Sequence, residues 1–290
     1  MSKRTIRAVA AAAVCVAALA APALANHRWS TYHWNRPSGE VTVPVGDNVT
    51  SAWDSYLQVA VKGGSGNPGW NSSGYIESPL VAGTTNAKNC KAVPGTIQVC
   101  NSRYGQTGWL GIASIWLSNG HISQGTTKLN DTYFASGSYN QPKWRRMVTC
   151  QEVGHDYGLG HVNENFDDPN TGSCMDYSND PGRNDGAGTN EYPNTHDFDE
   201  LQTIYTDHAD SAAATNFAQR SPGQAVPEGV AAGLGDGIPG DSPAAWGRAV
   251  HRDGAGRPDI FEQDLGNGNK KITHVFWAVG EGPKGLQHED

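Results

Sequence analysis

The chain has 290 residues, a formal net charge of −8 and 37% hydrophobic residues. An acidic chain with no basic block lacks the electrostatic footprint of a nucleic-acid binder. No segment after the first twenty-odd residues is apolar enough to cross a bilayer.

The first 25 residues read MSKRTIRAVAAAAVCVAALAAPALA. Lys3, Arg4 and Arg7 make a basic start, Ala8 to Ala21 is apolar, and Ala23-Leu24-Ala25 is a small-residue cleavage site. That is a secretory signal peptide, so the protein is expected outside the cell. The apolar run is short for a membrane anchor. About 265 residues remain from Asn26, enough for one ordinary domain and something smaller. Loss of the three basic residues takes the charge to −11. Cys15 leaves with the signal. Cys90, Cys100, Cys150 and Cys174 remain, an even count that suggests two disulfides in an exported chain. Of the three pairings, Cys90 with Cys100 is favoured because Val93 to Thr96 supplies a turn between them, which leaves Cys150 with Cys174. Free thiols are the alternative.

In chain order, Val41 to Val45 alternates as a strand. Asp47 or Asn48 caps a helix over Val49 to Lys62, with Trp53, Leu57 and Val61 on one face. Gly63 to Gly74 is a loop. Tyr75 to Ala82 and Ile97 to Cys100 are strands, WLGIASIWL (Trp109 to Leu117) is a stronger one, and Thr126 to Leu129 pairs nearby. Pro142 opens a helix capped by Asn140, which runs to about Tyr157 and stops at Gly158. Asn163 to Gly188 is a long polar loop. Asn194 or Thr195 caps a last helix through Leu201, Ile204 and Tyr205. Residues 209–244 have the Ala, Gly, Pro and Ser content of a linker. In 245–290, Trp246–Val250, Asp259–Leu265 and Lys271–Val279 form a small meander turning at Gly266-Asn267-Gly268. A disordered tail is the alternative.

The chemistry concentrates in CQEVGHDYGLGH, residues 150 to 161. A helix turns about 100° per residue, so Gln151, Glu152 and His155 share a face, and Gly158 lets His161 fold back toward it. A metal held by 151, 155 and 161 would keep a fourth position for water, as catalytic zinc requires. Glu152 beside that water would be the general base.

These residues resemble the metzincin clan of zinc peptidases, whose pattern is HExxHxxGxxH followed by a Met-turn. The match runs through Gln151, Glu152, His155, Gly158 and His161, with Met175 in SCMDY at the turn. CQEVGHDYGLGH with CMDY is most similar to a secreted bacterial matrixin-like group with glutamine in the first position. The resemblance covers roughly residues 30 to 208. It implies an α+β catalytic domain over 26–208, with a twisted mixed sheet, an active-site helix and a Met-turn. It also implies Zn2+, a calcium site, and an upper-rim strand, Thr107 to Leu117, that takes a protein or peptide substrate as an added strand at Gly111, Ile112 and Ala113. His196 to His208 would be the final helix. A monomer with no membrane or nucleic-acid partner is expected, and no long pro-segment to hold it latent.

Gln151 departs from the pattern, because a neutral amide suits zinc less well than imidazole. Three readings stay open. Gln151 is a weak third ligand. Alternatively, His155 and His161 bind zinc with help from elsewhere, His196 being the sequence candidate and Asp156 and Asp167 weaker ones. Alternatively, the site is metal-free and the protein is an inactive secreted binding module. A Cys150–Cys174 bridge would brace the helix against the Met175 turn, and Cys150 as a zinc ligand is the rival. Asp167, Asp168, Asn170, Asp176, Asn179 and Asp180 would build the calcium site or a solvated turn. Trp70 is a candidate surface binding residue.

Overall fold

A computed structural model describes residues 27–36, 39–206, 210 and 241–283. The signal segment 1–25 and most of 209–244 lie outside the described residues. The fold is mixed α/β with a core that is mostly sheet.

The first strands are β1 (His33–Trp34), β2 (Val41–Thr42) and β3 (Val45–Asn48), followed by α1 (Asp54–Lys62). Two expectations shift here. Pro44 has no N–H to give a ladder, so Val41 to Val45 is not one strand: Val41 pairs with Ile76 and Val45 with Leu80. The helix starts five residues later than expected, because Asp47 and Asn48 are used elsewhere. The Asp47 carboxylate accepts from Val49 N at 3.1 Å, and the Asn48 amide donates to Gln98 Oε1 at 2.9 Å. Tyr75 to Ala82 also divides, into β4 (Ile76–Glu77) and β5 (Leu80–Ala82), around Pro79.

Next come β6 (Ile97–Ser102), β7 (Trp109–Ser118), β8 (His121–Asn130) and the short α2 (Asp131–Phe134). The long helix α3 (Pro142–Asp156) has Pro142 in its first turn. Gln141, not Asn140, stands at its cap. Gly158 ends the turn after it with φ +100°, and a Cβ there would lie 2.1 Å from Tyr32 O, so the position needs glycine twice over. Helix α4 (Thr195–Thr206) is capped by Asn194, whose oxygen accepts from His196 N at 2.8 Å.

The C-terminal part holds α5 (Pro243–Trp246), β9 (Arg248–Arg252), β10 (Pro258–Gly266) and β11 (Asn269–Trp277). The expected meander is present, but it does not stand apart. Its strands continue the main sheet in the order β5-β3-β6-β8-β7-β11-β10-β9, with β1 paired to β8. β3, β5, β6 and β8 run parallel. β11 lies antiparallel to β7, from Lys270 opposite Leu117 to Trp277 opposite Trp109.

Helices α1 and α3 cover one face of the sheet, and the main core lies between them. Its large members include Trp34, Trp53, Trp70, Phe134, Tyr157 and Tyr177. Trp70 is therefore not a surface binding residue: it is fully buried, and its indole N–H donates to Cys150 O at 3.0 Å. β11 serves both faces. Ile272 and Phe276 join the main core. Val275 and Trp277 join a second cluster with Trp109, Ile112, Trp246 and Phe261 on the other face.

The bridges are Cys90–Cys100 and Cys150–Cys174. The second ties α3 to the turn that carries Met175, closing 24 residues against 10 for the first. Loop-closure entropy makes the longer bridge worth about 3 kcal/mol and the shorter one slightly less. Replacing Cys150 and Cys174 together by Ala is expected to lower the unfolding free energy by about that much. Urea unfolding measures it, and an unchanged midpoint would remove the bracing role.

Candidate metal centre

Helix α3 carries Gln151, Glu152 and His155 into the interior, where all three are buried. Met175, beyond the Cys150–Cys174 bridge, packs under the same helix. A Cβ at Gly154 would lie 2.5 Å from its sulfur, so only glycine permits this contact. After Gly158 the chain turns back. The Met175 carbonyl accepts from Val162 N at 2.8 Å, which fixes His161 beside His155.

The two rings meet at their Nε2 atoms, 3.0 Å apart. His155 Nδ1 lies 2.7 Å from Leu159 O. A carbonyl only accepts, so that nitrogen carries the proton. His161 Nδ1 lies 3.0 Å from a Glu164 oxygen and 3.7 Å from Asp259 Oδ2, so it too donates. With both far nitrogens donating, Nε2 atoms that carry no proton would turn bare lone pairs toward each other, a repulsive arrangement without a cation between them. Ligands about 2.0–2.1 Å from a tetrahedral zinc are roughly 3.3 Å from each other, close to the spacing seen. Donation from the far ring nitrogen to a carbonyl or carboxylate is the usual way a metal-binding histidine is oriented.

A third imidazole completes the group. His274 on β11 stacks on His155 with ring centroids 4.0 Å apart and 19° between planes. One ligand nitrogen from each of His155, His161 and His274 lies within 4.8 Å of the others. Both His274 nitrogens, the Gln151 amide oxygen and nitrogen, and both Glu152 oxygens are buried without a hydrogen-bond partner of ordinary geometry. Unpaired buried polar atoms of this kind are costly. Imidazoles plus an amide oxygen are a donor set that fits a divalent cation such as zinc.

Burial, helped by the charges of neighbouring histidines, holds His155 and His274 well below the usual imidazole range, so both rings are neutral and able to ligate. Burial, and next the Asp156 carboxylate, push Glu152 well above the carboxylate range. The nearby Ala113 amide opposes this but does not outweigh it. Glu152 fits here because Gly111 on β7 has no side chain: a Cβ would lie 2.6 Å from Glu152 Oε1 and 2.8 Å from Val148 Cγ1.

The other sequence candidates fall elsewhere. His196 lies against His27, with centroids 4.8 Å apart, and joins no metal group among the described residues. Asp156 faces the sheet and accepts from Thr127 Oγ1 at 2.8 Å. Cys150 is in its disulfide and is not a ligand. In the 167–180 loop, Asp167 accepts from Asn179, Asp168 from Asn163 and Asn165, and Asp180 from Lys143. No three carboxylates of this loop converge among the described residues. His33, His121 and Asp210 form a separate group, in which both rings reach one Asp210 oxygen at 3.3 and 3.0 Å. Gly111, Ile112 and Ala113, expected to receive substrate, face Phe276, Val275 and His274 of β11 across the ladder.

Sequence reasoning missed His274. A signal was there: in Ile272, Thr273, His274, Val275, Phe276, the histidine shares a strand face with two large apolar residues. A polar ring on an inward face calls for a partner.

No family model matches the chain, nor does any curated protein. Among solved structures, that of myroilysin is similar at 14% identity and a TM-score of 0.34, over 62% of this chain and 98% of that one. So low a TM-score says nothing about the site.

Two outcomes follow from the packing around Glu152. In chelator-treated protein, the folded state holds a proton on Glu152 that the unfolded chain releases above about 4.5. Stability is therefore lost as pH rises from that value toward the raised folded pKa, by about 1.4 kcal/mol per unit. Glu152→Gln abolishes this loss, so the treated variant should melt above wild type at pH 8, with the gap closing toward pH 4. An equal gap at both pH values would show that Glu152 is not buried as a neutral acid. Gly111→Ala is expected to destabilise by about 1–3 kcal/mol through overpacking, read by thermal melting, and a neutral effect would mean that β7 and α3 separate easily.

Proposed function

We propose that the protein is a secreted, zinc-dependent endopeptidase of metzincin type. The observation that carries this reading is the pair of bare His155 and His161 nitrogens 3.0 Å apart, next to a buried carboxylic acid from the same helix. His155 and His161 would hold the ion, with Gln151, one helical turn before His155, as a weaker oxygen ligand. Bound there, the ion would polarise the scissile carbonyl and acidify a water molecule.

Glu152 is the residue that would accept the proton from such a water and pass it to the leaving amine. Its raised pKa suits the second task, and a nearby dication would draw it down for the first. Leu159 O and the Glu164 carboxylate hold the two imidazoles in the ligating tautomer throughout. The Cys150–Cys174 bridge and Met175 keep the helix from shifting as charge develops. Peptide would lie along β7 beside Gly111, Ile112 and Ala113, as an added strand. Export and the signal segment are part of this proposal, and two disulfides with no helix long and apolar enough to cross a membrane, among the described residues, are compatible with it.

The test measures metal and cutting separately on the full chain. Equilibrium dialysis against zinc is expected to give tight uptake that weakens at least 100-fold in His155→Ala and in His161→Ala. Cleavage of casein should vanish with chelator and fall about 10²–10⁴-fold in Glu152→Gln, while that variant keeps its metal. No zinc uptake by wild type would leave the inactive binding module as the reading. Undiminished cutting by Glu152→Gln would remove it as the base.

A further inference from the structure

We infer that the C-terminal meander is a built-in occupant of the substrate site, and that His274 ligates the same metal as His155 and His161, so that the docked arrangement is latent and the full chain cuts only while the meander is undocked. This rests on the metallopeptidase reading above.

Three observations converge on it. First, β11 takes the edge of β7 that an extended peptide would need. It runs antiparallel along that edge, and Phe276, Val275 and His274 stand opposite Gly111, Ile112 and Ala113. Main-chain hydrogen bonds of this kind satisfy one partner at a time, so substrate and β11 exclude each other. Second, β11 delivers a ligand-type side chain to the reacting centre. His274 is 1% exposed and stacked on His155, and neither of its nitrogens has a hydrogen-bond partner. The ring is stacked on His155 with its nitrogens unpaired, and a rotation of the His274 side chain out of the stack would turn one of them onto an ion shared with His155 and His161. His155, His161, Gln151 and His274 would then make four ligands, and a four-coordinate zinc leaves no position for water. Third, the site is sealed. Glu152, His155 and the His161 side chain are each 0–2% exposed, so neither peptide nor water reaches them in this arrangement.

Part of what holds the meander lies away from the main core, from which its withdrawal would take only Ile260, Ile272, Phe276 and Ala278. Trp246, Phe261 and Trp277 pack on Trp109 and Ile112 in the separate cluster on the far face of β7. At the rim, His251 of β9 donates to Asp259 of β10 at 2.9 Å, and Asp259 also faces His161. Withdrawal of β11 would expose the edge of β7, take His274 from the metal and leave His155, His161 and Gln151 with a fourth position for water.

Two variants of the full chain test the two halves. His274→Gln keeps most of the volume and removes the imidazole. Loaded with cobalt, it is expected to change the visible absorption band relative to wild type while still binding the ion. Thr273→Pro, opposite Ser114 in the ladder, puts a proline in the middle of β11, which breaks the strand, and removes the 3.0 Å hydroxyl contact from Thr273 to Ser114 on β7. It is expected to raise casein cleavage at least tenfold with zinc retained. Trp246→Ala, outside the main core, is the gentler form of the same test if Thr273→Pro does not fold. An unchanged cobalt band in His274→Gln overturns the ligand role. No gain in cleavage with either undocking variant, or loss of the metal with them, overturns latency: in the last case His274 is a permanent ligand. If wild type itself binds neither cobalt nor zinc, the failure lies in the metallopeptidase reading.

Discussion

Two imidazoles whose protons are committed to Leu159 O and to the Glu164 carboxylate leave two lone pairs 3.0 Å apart in the interior. One shared proton would relieve the repulsion only by burying an imidazolium. Burial and the neighbouring rings make that unfavourable, since they hold His155 far below its ordinary pKa. A dication would satisfy both lone pairs at once, and Gln151, Glu152 and His274 are buried with unpaired atoms of their own. The surrounding architecture keeps those lone pairs in place. Gly158 folds the chain back, Gly154 admits Met175, Gly111 admits Glu152, and the bridge to Cys174 prevents the helix from sliding away.

Gln151 takes on a different meaning in this setting. A histidine at position 151 would give the metal three strong donors from one short segment and leave an incoming ligand only the fourth position. With an amide in its place, an ion bound there would be held by two strong donors and one weak one. It is then open to a better donor from elsewhere in the chain. His274 is such a donor, and its buried ring already lies against His155. The substitution that weakens the motif thus makes the contribution of the C-terminal strand energetically larger.

What the sequence made legible was local. The spacing of Gln151, Glu152 and His155 fixes one helix face, Gly158 fixes the reversal, and Val93 to Thr96 fixes the turn that lets Cys90 meet Cys100. The misplaced boundaries also have local causes in Pro44, Pro79 and the engaged side chains of Asp47 and Asn48. The strands of the meander are legible by their alternation, but their place in the main sheet is not. They alternate equally well whether they pack on each other or extend a sheet begun about 200 residues earlier. Pairing of Trp277 with Trp109 leaves no trace in either segment alone. The only pointers were the inward-facing His274 and the aromatic surplus at Trp246, Phe261 and Trp277, which is more apolar surface than a free meander could bury.

The apolar edge of β7 explains why substrate binding and self-docking compete. WLGIASIWL is a ten-residue strand together with Ser118, and nine of its residues are buried once β11 is in place. An uncovered edge of that length and hydrophobicity would pair with other chains and aggregate. The property that would let β7 capture peptide is therefore the one that obliges the protein to cover it. A strand on the same chain competes at an effective concentration on the order of millimolar, far above that of most free peptides. Substrate alone would not displace it. Under the latent arrangement inferred above, opening would act on the meander itself, through the aromatic contacts around Trp246.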